Sequence, residues 1–139
     1  MANGLCKLCN VEIETVDHLF FGCAFSYDVW CLCLKWLGVL GPLPNLGSLH
    51  LFCFESWGGI KRRMKSWRAI WIACIWSIWI HRNAVFFSGA QPNKDVVLEN
   101  LKRLSWMWLK HIGEEMEYQY VNWSLEPRLC MNDLRLPIV

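Results

Sequence analysis

The sequence is poor in charged residues. Asp, Glu, Lys and Arg make up 19% of the 139 residues, against roughly a quarter in an average soluble domain, and the formal net charge is only +2. The molecule therefore has no strong overall field, and any binding to nucleic acid or to an anionic membrane must come from a local patch. Hydrophobic residues make up 55%, with ten tryptophans, which excludes a disordered chain and predicts a compact fold or a piece of a larger assembly.

We expect no secretory signal peptide, since Met1 is followed by neither a basic segment nor an apolar run. Eight cysteines would otherwise suggest a secreted disulfide framework. We therefore expect reduced cysteines and an intracellular location, with the nucleus and the cytoplasm both left open. In such a compartment, closely spaced cysteines more often bind metal than form disulfides.

The Trp-rich part of the sequence is short for a membrane span. Only the stretch from Ala69 to Ile80 is free of charge there, whereas a transmembrane helix needs about 20 apolar residues. Basic residues before it and His81 and Arg82 after it would also suit an interfacial segment. We expect a buried core helix and no membrane association.

Four potential metal ligands lie near the start of the chain with the spacing C-x2-C-x8-H-x4-C: Cys6, Cys9, His18 and Cys23. A C-x2-C turn presents two thiolates to one ion, and a short helix capped by Thr15 can bring the other two ligands to it. Three sulfurs and one imidazole make a closed tetrahedral set that is typical of structural zinc. We predict one zinc ion, without which residues 5 to 25 would be disordered. The alternative is ordinary thiols and a histidine packed against its apolar neighbours.

The remaining pattern predicts a mostly α-helical fold. A helix capped by Ser26 is expected to end at Gly38, and amphipathic patterns indicate a long helix from about 60 to 87 and another at 94–112. Prolines and glycines mark a loop before a short apolar segment of uncertain type.

We therefore divide the chain into four parts and expect a small zinc-binding module, made of a turn and a short helix, followed by about three longer helices. The parts are a zinc-binding module with the following helix at 1-37, a loop and short apolar segment at 38-59, a Trp-rich helical hairpin at 60-112, and an irregular tail at 113-139.

Basic residues are concentrated at the expected start of the long helix: Lys61, Arg62, Arg63, Lys65 and Arg68. These cations can contact phosphates while the ring of Trp57 or Trp67 stacks on an unpaired base. The alternative is a solvated face at the start of a helix.

The residues around the four ligands agree with a known family. The stretches are Cys6-Lys7-Leu8-Cys9, Glu14-Thr15-Val16-Asp17-His18-Leu19-Phe20-Phe21-Gly22-Cys23 and Val29-Trp30. They resemble the zinc-binding region of the reverse transcriptases of plant non-LTR (LINE-type) retrotransposons. The stretch from Trp67 to Phe86 resembles the Trp-rich segment that follows the zinc region in the same plant proteins, so the resemblance covers residues 5 to 112.

The resemblance implies a region that lies downstream of a reverse transcriptase and, in some elements, upstream of an RNase H domain. The chain has neither a Tyr-x-Asp-Asp-like motif nor a carboxylate set for two metal ions, so we expect no enzymatic activity and no small-molecule substrate. Because Met1 lies only five residues before the first ligand, we expect a short reading frame derived from a decayed element.

The expected function is a non-catalytic zinc-binding module that assists nucleic-acid binding. The alternative is a protein-interaction or dimerisation module that uses an exposed tryptophan-rich helical face. The candidate partners are RNA or DNA, a reverse transcriptase, and a second copy of the chain.

Overall fold

The fold is mostly α-helical. A computed structural model describes residues 4–39, 43–44, 47–57, 61–113 and 116–132. These residues contain no strand, and the one β-type contact among them is an isolated antiparallel bridge between Leu5 and Ile13. A small N-terminal module is followed by four longer helices, so the predicted fold class is confirmed.

The N-terminal module ends in a π-helical turn, His18–Gly22. The helices that follow within the described ranges are α1 (Ala24–Leu37), α2 (Gly47–Ser56), α3 (Lys61–Ser88), α4 (Lys94–Trp108), α5 (Tyr120–Leu125) and α6 (Pro127–Asn132). A second π-helical turn, Leu109–Gly113, continues α4.

Local sequence signals account for several helix ends. Gly38 adopts a left-handed conformation with φ 74° and ends α1 as predicted. The Asn93 side chain accepts hydrogen bonds from the first backbone N–H groups of α4. The predicted N-cap at Ser26 is wrong, because α1 already begins at Ala24 and the Ser26 hydroxyl donates instead to the Leu19 carbonyl.

Two segments acquire helical structure that sequence periodicity did not indicate. The short apolar segment is helix α2, which places His50 and Phe54 in the core. The prediction of an irregular tail is wrong for α5 and α6. Trp123 of α5 is fully buried, and its indole N–H donates to the Lys102 carbonyl of α4 at 3.0 Å. Packing against α4 therefore stabilises a segment whose own pattern is weak.

Tryptophan side chains both fill the core and connect its parts. Trp30, Trp67 and Trp123 are among the largest fully buried side chains. Indole N–H groups donate to backbone carbonyls of other segments: Trp30 to Phe20 (2.7 Å), Trp36 to Ser124 (2.9 Å) and Trp106 to Tyr118 (3.0 Å). Each such ring contributes apolar area while its one polar group stays hydrogen-bonded, so burial carries little desolvation cost.

Helix α3 is the central element, and it packs most extensively against α4. One face buries Trp67, Ile70 and Ile78, whereas Trp76 and Trp79 on the opposite face remain exposed. The segment Lys65–Ser88 is long and apolar enough to cross a membrane by length and composition, and 39% of its most apolar window is buried in this fold. Core helices of soluble proteins have the same character, so this is weak support for a span.

Candidate metal centre

The four predicted ligands converge at one point of the N-terminal module. The Sγ atoms of Cys6, Cys9 and Cys23 and a ring nitrogen of His18 all lie within 4.8 Å of one another. The Sγ atoms of Cys6 and Cys23 are 3.9 Å apart, and Cys9 Sγ lies 3.3 Å from His18 Nε2. A tetrahedral zinc ion with ordinary bond lengths would require separations of about 3.8 Å between sulfurs and about 3.6 Å between sulfur and nitrogen. Both distances lie within a few tenths of an ångström of these values, so the cluster could hold a metal ion.

Backbone N–H groups surround the three sulfurs. Cys6 receives hydrogen bonds from the N–H groups of Leu8 and Cys9 in the C-x2-C turn. Cys23 immediately precedes α1, and the N–H groups of Phe25 and Ser26 in the first turn of that helix point at its sulfur. Such donors stabilise thiolates, the form of cysteine that binds metal.

Two of the thiols are held protonated by their surroundings when no cation is bound. Burial raises the pKa of Cys23 to about 12 and also raises the pKa of Cys6. Burial alone would raise the pKa of Cys9 too, but hydrogen bonds from the N–H groups of Glu12 and Val11, together with the contact between its sulfur and the His18 ring, lower it to about 7. Binding of a cation would therefore release protons from the buried pair.

One side of the cluster faces solvent. Cys6 and Cys23 are fully buried, whereas Cys9 and His18 line a surface pocket of about 320 Å³ together with Glu12 and Tyr27. An ion can thus reach the donors through this pocket while the opposite side of the cluster stays packed.

Hydrogen bonds fix both the backbone and the imidazole ring of His18. Its backbone N–H donates to Thr15 Oγ1 at 3.1 Å, the contact expected of a capping threonine. Its ring Nδ1–H donates to Glu12 Oε2 at 3.0 Å, so that Nε2 faces the cysteines. Sequence reasoning missed Glu12, because a glutamate six residues before a histidine carries no recognisable spacing signal.

A buried ion pair joins the N-terminal module to α3. Arg82 Nη2 donates to Glu14 Oε2 at 2.7 Å, and Arg82 Nε lies 3.3 Å from Glu14 Oε1. The backbone N–H of Lys7, inside the C-x2-C turn, donates to the same carboxylate at 3.1 Å. Burial alone would raise the pKa of Glu14, but these hydrogen bonds bring it below its usual value. Glu14 and Arg82 are 68 residues apart in the chain, and no local sequence pattern indicates their contact.

Aromatic side chains of the π-helical turn dock the module on the helical body. Phe21 packs against Trp30, Trp71 and His50, with ring centroids 6.4, 6.0 and 4.7 Å away. Phe20 packs against Trp79 of α3 at 6.4 Å. These rings form an aromatic cluster that attaches the N-terminal module, and with it the metal ligands, to α1, α2 and α3.

His50 is an unusual member of this aromatic cluster. Its Nδ1 accepts a hydrogen bond from the Trp71 indole N–H at 2.9 Å, and its Nε2 is buried without a hydrogen-bond partner. Burial lowers the pKa of His50 to about 4, so the ring is neutral near pH 7.

Of the five basic residues predicted to contact nucleic acid, the structure describes the side chains of two. Lys65 and Arg68 are exposed on α3, and Arg68 forms an ion pair with Glu55 of α2. The backbone of Lys61, Arg62 and Arg63 forms the first turn of α3, but their side chains lie outside the described residues.

The stacking role expected of Trp67 is wrong. Its ring is 1% exposed and packs against Phe54 in the core, because Trp67 lies on the face of α3 that meets α2. Trp57 is partly buried and also contacts Phe54. The exposed indoles on α3 are instead those of Trp76 and Trp79.

Fold and site together define a mostly α-helical protein with a three-cysteine, one-histidine cluster that can hold a metal ion. Comparison of this chain with family models, curated proteins and solved structures gives no match. The family suggested by the sequence motifs therefore remains a prediction.

Proposed function

We propose that this chain is a non-catalytic module in which one zinc ion holds the N-terminal segment on a tryptophan-rich helical body. In this proposal it corresponds to the region that follows the reverse transcriptase in plant non-LTR retrotransposons. The observation that carries the proposal is the convergence of the four donor atoms within 4.8 Å.

The chemistry of the donors supports zinc as the metal. Thiolate and imidazole are soft or borderline ligands that favour zinc over magnesium or calcium, whose sites are built from oxygen. Four protein donors complete a tetrahedron, which is the arrangement of structural sites, whereas catalytic zinc sites keep a position for water. The zinc would therefore stabilise the fold and take no part in a reaction.

Elemental analysis of protein purified under reducing conditions tests this proposal. We expect one zinc per chain in the unaltered protein and none in Cys9→Ser or His18→Ala. Cys31→Ser is the matched control, since Cys31 is an exposed free thiol of α1 outside the cluster, and it should retain the zinc. Absence of zinc from the unaltered protein, or its retention in Cys9→Ser, would contradict the proposal.

Nucleic-acid binding is proposed as the activity that this module assists. Lys65, Arg68, Trp76 and Trp79 are all exposed, and at 100° per residue they fall on one side of α3 over about 21 Å. Cations that contact phosphates beside rings that stack on bases form a surface suited to single strands.

Titration of the full chain with single-stranded RNA at several salt concentrations tests this activity. Two phosphate contacts by Lys65 and Arg68 predict a slope of about −1.4 in log affinity against log salt, which should flatten in the Lys65→Gln/Arg68→Gln variant. Trp76→Ala should weaken binding by about fivefold or more through lost stacking. Binding that neither variant changes would exclude this surface.

The same exposed face supports the interaction alternative. Ile72 (44% exposed), Trp76 (49%) and Ile80 (41%) form an apolar stripe at i, i+4, i+8 spacing. A dimer formed through this stripe would elute early from gel filtration at both low and high salt, and Trp76→Glu would convert it to a monomer. Salt-independent self-association without RNA binding would favour this alternative over the nucleic-acid proposal.

A further inference from the structure

A carboxylate that is not one of the four donors contacts the imidazole of the cluster. Glu12 Oε2 lies 3.0 Å from His18 Nδ1, and the other ring nitrogen, Nε2, lies 3.3 Å from Cys9 Sγ. A carboxylate can only accept a hydrogen bond, so Nδ1 carries the proton and the lone pair of Nε2 faces the sulfurs.

We infer that Glu12 is a positioning residue of the metal site, whose carboxylate fixes the tautomer and ring orientation of His18 so that Nε2 is presented to the zinc ion. This inference rests on the proposed zinc site. Hydrogen bonding of the second ring nitrogen also raises the basicity of the imidazole, which strengthens its bond to the metal.

The backbone of Glu12 is hydrogen-bonded to the two cysteines of the C-x2-C turn. Its carbonyl accepts a hydrogen bond from the Cys6 N–H at 2.7 Å, and its N–H points at the sulfur of Cys9. The residue is therefore anchored to two ligands through its main chain while its side chain reaches a third. The cap by Thr15 holds the backbone of His18, so the ring is constrained from both directions.

The exposure of Glu12 argues against a merely structural role in packing. Its side chain is 66% exposed, whereas that of His18 is only 10% exposed. An exposed glutamate has many solvated conformations available, and its removal would leave no cavity in the core. Any effect of its substitution on metal binding should therefore come from the lost hydrogen bond to the imidazole.

Zinc affinity of the full chain, measured with Zn²⁺ by competition against a chromophoric chelator, tests this inference. Glu12→Ala should bind zinc about 10- to 100-fold more weakly than the unaltered protein, the usual effect of losing such a partner. Glu12→Gln should lie between the two, because its amide oxygen can still accept from Nδ1–H. Glu126→Ala, which removes an exposed glutamate between α5 and α6, is the control and should leave the affinity unchanged.

The imidazole nitrogens give a second readout that a packing role would not change. In the zinc-loaded protein, ¹⁵N NMR of the ring should show Nε2 bound to metal and a protonated Nδ1 whose hydrogen exchanges slowly. In Glu12→Ala the same hydrogen should exchange faster. Coordination through Nδ1 in the unaltered protein would overturn the inference.

The outcomes separate this inference from the zinc proposal on which it rests. Absence of zinc from the unaltered protein would overturn both. One tightly bound zinc in the unaltered protein and an affinity within twofold of it in Glu12→Ala would overturn only the positioning role.

Discussion

Replacement of Arg82 by methionine tests the ion pair that joins the N-terminal module to α3. The side chains of Arg82 and Glu14 are 7% and 9% exposed. Removal of one partner from a buried pair leaves an uncompensated charge and typically costs about 3–5 kcal/mol. A groove of about 300 Å³, lined by Glu14 together with Phe20 and Trp79, gives water some access to the carboxylate. We therefore expect Arg82→Met to lower the free energy of unfolding by about 3 kcal/mol, at the lower end of that range.

Urea unfolding of the metal-loaded protein, followed by tryptophan fluorescence, measures this loss. Arg103→Met is the matched control, because Arg103 forms an exposed pair with Glu99 at 3.6 Å and its loss should cost less than about 1 kcal/mol. The double variant Glu14→Gln/Arg82→Met should recover part of the stability, since it leaves no charge buried alone.

Two results would refute this account of the Glu14–Arg82 pair. One is a loss of less than about 1 kcal/mol in Arg82→Met, comparable to that of an exposed pair. The other is additivity: the double variant would be less stable than Arg82→Met by the same free energy that Glu14→Gln alone costs the unaltered protein. That result would mean that the two side chains contribute independently.

Burial lowers the pKa of His50 in the folded protein to about 4, below that of a histidine in the unfolded chain. As the pH falls, the unfolded chain therefore binds this proton before the folded protein does, and the free energy of unfolding should fall by about 2–3 kcal/mol between pH 6.5 and 4. His50→Phe should show a shallower fall in urea titrations over that range, and parallel curves would contradict the assignment. Trp123→Ala should lower the free energy of unfolding by about 3–5 kcal/mol, and a loss below about 1 kcal/mol would mean that α5 does not pack on α4. Chelation of the metal should speed amide hydrogen exchange across residues 5 to 25, whereas unchanged protection there would show that the module folds without it.

The cysteine and histidine spacing predicted the location of the candidate site because its geometry is local. A C-x2-C turn and a short capped helix bring Cys6, Cys9, His18 and Cys23 together over 18 residues, with little dependence on the rest of the fold. Helices α3 and α4 were predictable for a similar reason, since apolar residues recur along them with the helical period of 3.6 residues.

Other features of the site depend on contacts between distant residues. Which tryptophans are buried could not be read from periodicity, because α3 is apolar on several sides and only its neighbours decide that Trp67 faces inward and Trp76 outward. The salt bridge between Glu14 and Arg82 likewise requires α3 to lie across the N-terminal module.

The sequence by itself therefore determined the helical class, the approximate extent of α3 and α4, the end of α1 at Gly38 and the four donors of the metal cluster. Each of these depends on residues within a few turns of one another, through helical periodicity, capping and ligand spacing. Only the tertiary structure decided the partners of those donors, the burial of His50 and the helices of the tail. These features arise when segments far apart in the chain pack together, because burial and a hydrogen-bond partner are properties of the assembled fold and not of a local stretch of sequence.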